Sequence, residues 1–160
     1  MGNSKAITIS IPPAAVLRVV NPLLRLLLHT PVMGTARRGF MVVSVTGRRT
    51  GRRYTIPLAA HRIDGDLYAL TSAPWQQNFR DGATVRVFFD GKATTMRGTL
   101  VNGVAEIADV YWRCAQSYGA SNAQRKLAMT FRDKRIPALE DFAAAVEQNH
   151  LAAVRLVSPS

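Results

Sequence analysis

Three Asp-Gly pairs divide the middle of the chain into short segments, and they constrain the fold more than any other feature of the sequence. Asp64-Gly65 and Asp90-Gly91 each lie between two apolar runs, and Asp81-Gly82 leads into the run that ends at Phe89. Asp and Gly tolerate a positive φ at low cost, so such pairs are favoured in the tight turns of β-hairpins. We therefore expect antiparallel strands, linked mainly by turns, between residues 39 and 101.

The segments around these turns carry the patterns of β-strands. A mostly β-branched apolar run from Met41 to Val45 predicts a buried strand. From Arg53 to Ala60 the residues alternate in character, which is typical of a strand with one face inward. Pro57 has no N–H to donate, so it indicates a sheet edge or a bulge. The segment Ser72–Asn78 interrupts the strands.

Helical spacing precedes the strands. In residues 1–31 the apolar side chains between Ala14 and Leu28 cover a broad helical face, while Arg18, Asn21 and Arg25 form one stripe. This predicts a helical segment that covers a barrel, with docking on a membrane surface as the alternative. The stretch is too short and too charged to span a bilayer, and it lacks a signal-peptide cleavage pattern.

Helical spacing also follows the strands, from residue 102 to the closing strand at 151–157. Asn102 is expected to cap one helix and Asn122 a second that carries Leu127, Ala128 and Phe131. Pro137 suits the first position of a last helix with Leu139, Phe142 and Val146 on its buried side. Strands that follow one another through turns, with helices before and after, predict an α+β fold: a small antiparallel barrel with helical cover.

Composition limits the partners. The 160 residues suit a single domain spanning 1–160, and one cysteine, Cys114, excludes an internal disulfide and fits a reducing cytoplasm. Twenty-one Lys and Arg oppose ten Asp and Glu, which gives a net charge of +11 and favours anionic partners. Charge alone does not choose between nucleic acid, an anionic membrane and a polyanionic small ligand.

The charge is most concentrated between Gly47 and Arg53, where four arginines and two glycines occupy seven positions. Such crowding becomes favourable when a phosphate or carboxylates lie among the guanidinium groups. The segment lacks the Gly-Lys-Ser/Thr of a phosphate-binding loop and the spaced glycines of a dinucleotide fingerprint. The three histidines lie far apart and no Gly-x-Ser-x-Gly occurs, so no metal site and no hydrolytic centre is predicted.

Two motifs carry a family resemblance. The run from Val43 to Tyr54, continued by Pro57-Leu58, and the element Trp75-Gln76-Gln77-Asn78-Phe79 resemble the signature of the deazaflavin-dependent nitroreductase family. The resemblance covers roughly residues 15 to 105. It implies a split β-barrel related to flavin-binding oxidoreductases, and the deazaflavin coenzyme F420. The loop Ser72–Trp75 is shorter than in the better-known members, so flavin mononucleotide (FMN) stays open as the alternative.

The resemblance also implies site residues. Arg48, Arg49 and Arg52 would hold the phosphate and oligoglutamate tail, Trp75 and Asn78 would support the wall beside the ring, and Arg80 could replace a missing positive charge. The full expected coenzyme-binding set is Arg48, Arg49, Thr50, Gly51, Arg52, Pro57, Trp75, Asn78 and Arg80. Ser72 and Tyr118 fall near positions where the family places polar groups over the reacting ring, and they are the candidates for polarising or protonating a substrate.

The leading hypothesis is therefore a cytoplasmic oxidoreductase that passes a hydride from reduced F420 to a small apolar electrophile: a quinone, an activated alkene or a nitro compound. The protein's part would be binding and orientation. An alternative is a non-catalytic carrier of a flavin, a tetrapyrrole or a fatty acid in the same barrel. Nucleic-acid binding is not expected, because the basic cluster has a single aromatic neighbour. Peripheral membrane association through residues 1–31 and a homodimer are left open.

Overall fold

The computed structural model describes residues 6–9, 39–47, 50–72 and 74–158. The expected N-terminal helix over Ala14–Leu28, and both Arg48 and Arg49, lie outside these ranges. The strands within them are β1 (Ile7–Ile9), β2 (Phe40–Thr46), β3 (Arg53–Ala59), β4 (His61–Ile63), β5 (Asp66–Thr71), β6 (Ala83–Phe89), β7 (Lys92–Leu100), β8 (Met129–Phe131) and β9 (Ala152–Val157). The helices are α1 (Val104–Tyr118), α2 (Ala120–Lys126), α3 (Leu139–Asn149) and a 3₁₀ helix, Pro74–Phe79.

Seven strands form one sheet in the order β3-β2-β6-β7-β9-β5-β4. The sheet is antiparallel and nearly closed as a barrel, and with the three α-helices it confirms the predicted α+β fold. Turns join β2 to β3, β4 to β5 and β6 to β7, and β2 also pairs with β6 although β3, β4 and β5 lie between them in sequence. The Asp-Gly turns predict the β4–β5 and β6–β7 neighbours, whereas the pairing of β2 with β6 has no local signal.

Two of the predicted hairpins are confirmed. Asp64 and Gly65 join β4 to β5 with φ of 52° and 87°, and Asp90 and Gly91 join β6 to β7 with φ of 51° and 79°. A left-handed backbone is cheap for Gly and tolerated by Asp, which explains why these residues occupy the turns. The register then follows from turn geometry, with Phe89 opposite Lys92 directly beside the turn.

The two faces of the sheet differ as period-2 alternation requires. The inward-pointing residues form a continuous apolar core with the 3₁₀ helix. Its buried members are Met41, Val43, Val45, Ala60, Leu67, Ala69, Phe79, Val85, Val87, Val154 and Leu156. Pro57 lies on β3, opposite Val42, and β3 ends the strand order, so the predicted edge position is confirmed.

The described chain divides into two compact units. The helical unit contains residues 101–153 with 70–72 and 6–9, and the sheet unit contains the described parts of 39–69, 74–100 and 154–158. In the helical unit, α1 packs against α2 and α3, and β1 pairs with β8. No helix in the described ranges is long and apolar enough to cross a membrane.

The predicted helix starts are wrong. The N-cap of α1 is Gly103 and not Asn102, and the N-cap of α2 is Gly119; neither cap has a side-chain hydrogen bond. Asn122 lies inside α2, where its side-chain amide donates to the carbonyl of Tyr118 at 3.3 Å. The sequence favoured the asparagines because their side chains can cap a helix. In the structure the residues before the two helices have φ of 93° and 83°, and both are glycines. Asparagine adopts such positive φ values at greater cost than glycine.

Two further expectations in the C-terminal part need correction. Phe131 does not continue the second helix: α2 ends at Lys126, and Phe131 lies on β8, paired with Ile7 of β1. Pro137 precedes the last helix by two residues, because α3 begins at Leu139 after the N-cap Ala138. Phe142 and Val146 are buried as expected, whereas Leu139 is 39% exposed. The pairing of β1 with β8 joins distant segments and has no local signal.

Candidate coenzyme site

The arginine-rich turn closes the hairpin between β2 and β3, whose last strand pair is Thr46 and Arg53. The N–H of Gly47 donates to the carbonyl of Arg52 at 2.7 Å, and the N–H of Gly51 donates to the carbonyl of Gly47 at 3.0 Å. Gly51 has a φ of 70°, which the glycine makes inexpensive. The positive φ therefore explains why position 51 of the motif is a glycine.

Thr50 completes the internal bonding of this turn. Its hydroxyl oxygen accepts the N–H of Arg52 at 3.2 Å. The backbone N–H groups of Gly47, Gly51 and Arg52 are thus all engaged within the turn. These three N–H groups are therefore not available to cradle an anion, whereas exposed guanidinium groups can bind one. The side chains of Arg52 and Arg53 are exposed and accessible for this purpose.

The Trp75–Phe79 element forms the 3₁₀ helix. The side-chain amide of Asn78 donates to the carbonyl of Trp75 at 2.9 Å, so the Trp-x-x-Asn spacing closes a turn of this helix. The rings of Trp75 and Phe79 meet edge to face, with centroids 6.0 Å apart at 75°. Trp75 is half-buried against the sheet core. Asn78 thus has a local structural role alongside the predicted support of a ring wall.

Phe79 anchors this helix on the sheet at Gly98 of β7. Phe79 is fully buried, and a Cβ added at Gly98 would lie 2.5 Å from two atoms of its ring. The sheet therefore requires glycine at position 98, because any side chain there would displace the ring. Through this contact the Trp75–Asn78 segment is fixed relative to β7.

Pro57 and Arg80 are the two other expected coenzyme contacts in the sheet unit. Pro57 is half-buried on the edge strand β3. Arg80 follows the 3₁₀ helix directly, with an exposed side chain and a backbone N–H that donates to the carbonyl of Gln77 at 3.2 Å. Arg80 can therefore offer a charge from the end of the 3₁₀ helix.

Both candidate catalytic residues belong to the helical unit. Ser72 is exposed directly after β5, and Tyr118 is the half-buried last residue of α1. Burial, and then the neighbouring Cys114, raise the pKa of the Tyr118 phenol. The phenol stays protonated at neutral pH, so it can donate a hydrogen bond but cannot act as a base. The ammonium of Lys126 lies 4.5 Å from the centroid of its ring.

Two more ionisable groups are buried in α1. Burial raises the pKa of the Cys114 thiol to about 12, and the thiol is inaccessible. Burial also raises the pKa of Tyr111, whose hydroxyl donates to the carbonyl of Ala152 at 3.3 Å. Because both groups are neutral and enclosed, they hold the packing of this unit and do not act as nucleophiles. The described residues contain no group of three or more His, Cys, Asp or Glu that could hold a metal ion.

Sequence reasoning did not single out Arg86 and Arg97. Both are exposed, and both lie on the face of the sheet opposite the core. The alternation of Thr84 and Arg86 with the buried Val85 and Val87 was a usable signal for the face of Arg86. The position of Arg97 relative to Arg86 depends on the register of β6 and β7 and had no local signal.

No family model matches the chain, and no curated protein matches it. Among solved structures it is similar to an F420-H2 dependent reductase, at 17% identity and a TM-score of 0.43 over 73% of this chain and 94% of the other. It is also similar to a conserved hypothetical protein from Mycobacterium tuberculosis, at 12% identity and 0.44 over 95% and 83%. A third is described as a domain-swapped dimer, at 14% and 0.48 over 89% and 98%. At these identities and TM-scores, none of the three similarities indicates a ligand or an activity.

Proposed function

We propose that the protein is an oxidoreductase that binds coenzyme F420 and transfers a hydride to a small electrophilic substrate such as a quinone, an activated alkene or a nitro compound. The observation that carries this proposal is the turn between β2 and β3. The backbone N–H groups of Gly47, Gly51 and Arg52 bond within the turn, while the side chains of Arg52 and Arg53 are exposed, so the turn is suited to a ligand with dispersed negative charge. The Trp75–Asn78 element is the second of the two motifs that carry the family resemblance.

The residues fit the coenzyme's anionic part. A phosphate and carboxylates need several guanidinium donors and no competing acid. Arg52 and Arg53 are exposed at the turn, and neither β2 nor β3 contains an acidic residue. Arg48 and Arg49 belong to the same proposed set by the motif. Gly51 and Thr50 would keep the turn in shape, and Arg80 would add a charge beside Trp75.

When bound, reduced F420 supplies the hydride. The protein's residues would bind and orient the coenzyme and would polarise the substrate. Trp75 would offer an apolar wall to the ring, held by its contact with Phe79. The protonated phenol of Tyr118 and the hydroxyl of Ser72 are proposed to donate hydrogen bonds to the negative charge that develops on the substrate. Such donors lower the barrier only where charge appears in the transition state.

The proposal is tested by titrating the purified protein with oxidised F420, with FMN in parallel, and following fluorescence. Replacing Arg52 with Ala should remove about 1.5 to 3 kcal/mol of coenzyme binding, the value of a charge-assisted hydrogen bond. This corresponds to a dissociation constant about tenfold to more than a hundredfold weaker. The stability of the free protein should stay equal or rise slightly, because removal of one charge relieves repulsion.

The matched control is Arg125→Ala, which removes an exposed arginine from α2 that donates to the side chain of Asn122. Its coenzyme affinity should equal that of the unmodified protein. Tighter binding of FMN than of F420 would overturn the coenzyme assignment. Unchanged affinity in Arg48→Ala, Arg49→Ala and Arg52→Ala alike would overturn the phosphate site.

A further inference from the structure

A second concentration of positive charge lies in the helical unit, around β8. Residues 125–135 contain five of the six Lys and Arg of the segment 101–153, but only one of its six Asp and Glu. All five cations are exposed, and they are called the β8 basic patch: Arg125, Lys126, Arg132, Lys134 and Arg135. The patch is separate from the arginine-rich turn, because the turn belongs to the sheet unit.

Hydrogen bonds bring the two ends of this segment together. The side-chain oxygen of Gln124 in α2 accepts the N–H of Phe131 at 2.8 Å, so the end of the helix lies against the end of β8. The N–H of Lys134 donates to the carbonyl of Phe131 at 3.3 Å and closes the turn after the strand. Leu127, Met129 and Phe131 are buried. The five cations therefore flank one short, buried strand.

Helix electrostatics explain only two of the five charges. Arg125 and Lys126 end α2, where cations are favoured by the negative end of the helix dipole. The ammonium of Lys126 also lies 4.5 Å from the ring centroid of Tyr118. Arg135 instead lies shortly before α3, whose positive end disfavours cations. The cations after β8 are thus not explained by the helices beside them.

The backbone at Lys134 gives a second, independent observation. Lys134 has a φ of 55°, a left-handed conformation that glycine or asparagine adopts at lower cost. An exposed lysine at such a position does not favour the turn itself. A residue in an unfavourable backbone conformation points to a role for its side chain, and here that side chain is an exposed cation.

Three acids lie close to the patch in sequence. Asp133 forms an ion pair with Arg132 at 3.4 Å. Asp141 accepts the N–H of the N-cap residue of α3 at 3.1 Å, and Glu140 lies in the same first turn, where the helix dipole offsets acidic charge. Five cations against Asp133 leave a net charge of +4, and counting Glu140 and Asp141 as well leaves +2. The segment therefore stays positive with every neighbouring acid included.

An exposed apolar side chain adjoins the patch. Leu139 is the first residue of α3, and it is 39% exposed. Arg135 and Ala138 line the same open cleft, so Leu139, the next residue, lies near the last cation of the patch. Cations beside an exposed apolar side chain are typical of a peripheral membrane contact, because the cations attract anionic headgroups while the apolar side chain enters the interface.

We propose that the β8 basic patch and Leu139 dock the protein on a membrane surface that contains anionic lipids. The contact is independent of the proposed coenzyme site and of residues 1–31. Nucleic acid fits less well, because Phe131 is the one aromatic residue between positions 120 and 141, and it is buried and unable to stack on a base.

The experiment sediments the full-length protein with vesicles of equal parts phosphatidylcholine and phosphatidylglycerol, and with vesicles of phosphatidylcholine alone. The unmodified protein should bind the anionic vesicles, and added salt should weaken the binding. Each cation near an anionic surface changes the partition coefficient about fivefold. The double variant Lys134→Gln, Arg135→Gln should therefore bind about 25-fold more weakly, and Leu139→Gln should reduce the binding that persists at high salt.

Lys134→Asn separates binding from folding. Asparagine removes the charge but tolerates the left-handed backbone, so the melting temperature should stay equal or rise. Vesicle binding should still weaken about fivefold. A variant that is as stable as the unmodified protein and binds vesicles equally well would contradict the proposed role of Lys134.

The matched control is the double variant Arg86→Gln, Arg97→Gln, which removes two exposed arginines from the sheet unit. It should bind anionic vesicles nearly as tightly as the unmodified protein. Equal losses in the two double variants, or no binding by the unmodified protein, would overturn this inference while the coenzyme proposal stands. An oligothymidylate that binds the unmodified protein but not the variant Lys134→Gln, Arg135→Gln, without any vesicle binding, would assign the patch to nucleic acid instead.

Discussion

The sheet unit and the helical unit differ in how they carry charge. Residues 101–153, which make up most of the helical unit, contain six Lys and Arg and six Asp and Glu. The whole positive excess of the chain, +11, therefore lies outside this segment. Within the sheet unit the four acids are Asp64, Asp66, Asp81 and Asp90, and none lies on β2, β3, β6 or β7. Those four strands and the arginine-rich turn carry seven Lys and Arg and no acid, so they are one concentration of the positive charge.

Ionisable groups with perturbed pKa values show the opposite distribution. Tyr111, Cys114 and Tyr118 lie together on α1, and burial raises the pKa of each. In the sheet unit the clearest effect is on Arg155, whose pKa is raised by its hydrogen bonds to Asp66 across the strands. The strands of the sheet unit expose arginines, whereas burial keeps Tyr111, Cys114 and Tyr118 of the helical unit neutral. The raised pKa values of these three groups therefore reflect burial in the helical unit and do not by themselves mark a functional site.

The largest expected effect tests the close packing of the sheet unit. Gly98→Val would insert a branched side chain where even a Cβ lies 2.5 Å from the ring of Phe79. Overpacking of this kind costs about 1 to 3 kcal/mol or more in the free energy of unfolding. Displacement of Phe79 should also weaken coenzyme binding through Trp75. Urea denaturation and the fluorescence titration measure the two effects.

Gly39→Val is the control for this variant. No heavy atom lies within 4 Å of a Cβ at Gly39, and the residue precedes β2 without a positive φ. It should change stability by less than about 0.5 kcal/mol, as is usual for changes away from close contacts. If both glycine variants were equally stable, the fixed position of the 3₁₀ helix on β7 would be contradicted.

The next effect concerns the enclosed groups of the helical unit. The Cys114 thiol is neutral when protonated, and its pKa is about 12 in the folded chain against an ordinary value of 9.0. The unfolded chain releases this proton first, so the stabilising contribution is complete below pH 9.0 and is lost as the pH rises toward 12. This group alone should lower the free energy of unfolding by about 1.4 kcal/mol per pH unit in that window.

Cys114→Ala isolates this contribution, because the variant has no thiol to ionise. Urea denaturation at several alkaline pH values should give a shallower loss of stability in the variant than in the unmodified protein. The remaining slope would come from Tyr111 and Tyr118, whose pKa values are also raised. Identical slopes in the two proteins would show that the thiol is not enclosed.

The smallest effect distinguishes the predicted helix starts from those in the structure. Asn122 lies within α2 and not at its start, so Asn122→Ala should cost less than about 0.5 kcal/mol. Asp141 accepts the N–H of Ala138 at the start of α3, at 3.1 Å, so Asp141→Ala should cost about 0.5 to 2 kcal/mol. Thermal unfolding of both variants makes the comparison. A larger loss of stability for Asn122→Ala than for Asp141→Ala would support Asn122 as the helix cap that the sequence predicts.

The strands and hairpins of the sheet unit were predictable because their determinants are local. Alternation in Arg53–Ala59, the β-branched run of β2 and the turns at Asp64-Gly65 and Asp90-Gly91 each act within a few residues. The helices were predicted only in outline. Their starts depend on Gly103 and Gly119, where no side chain caps the helix, and β1 pairs with β8 across most of the chain.

The sequence by itself determined the α+β class, the position of the arginine-rich turn and the Trp75–Asn78 motif, since each is a short pattern with a local physical cause. Only the tertiary structure decided that the N–H groups of Gly47, Gly51 and Arg52 bond within the turn, while the guanidinium groups of Arg52 and Arg53 stay exposed. It also decided that Arg53, Arg86 and Arg97 share one face and that Phe79 rests on Gly98. These relations depend on strand register and close packing between distant segments, which no local pattern specifies.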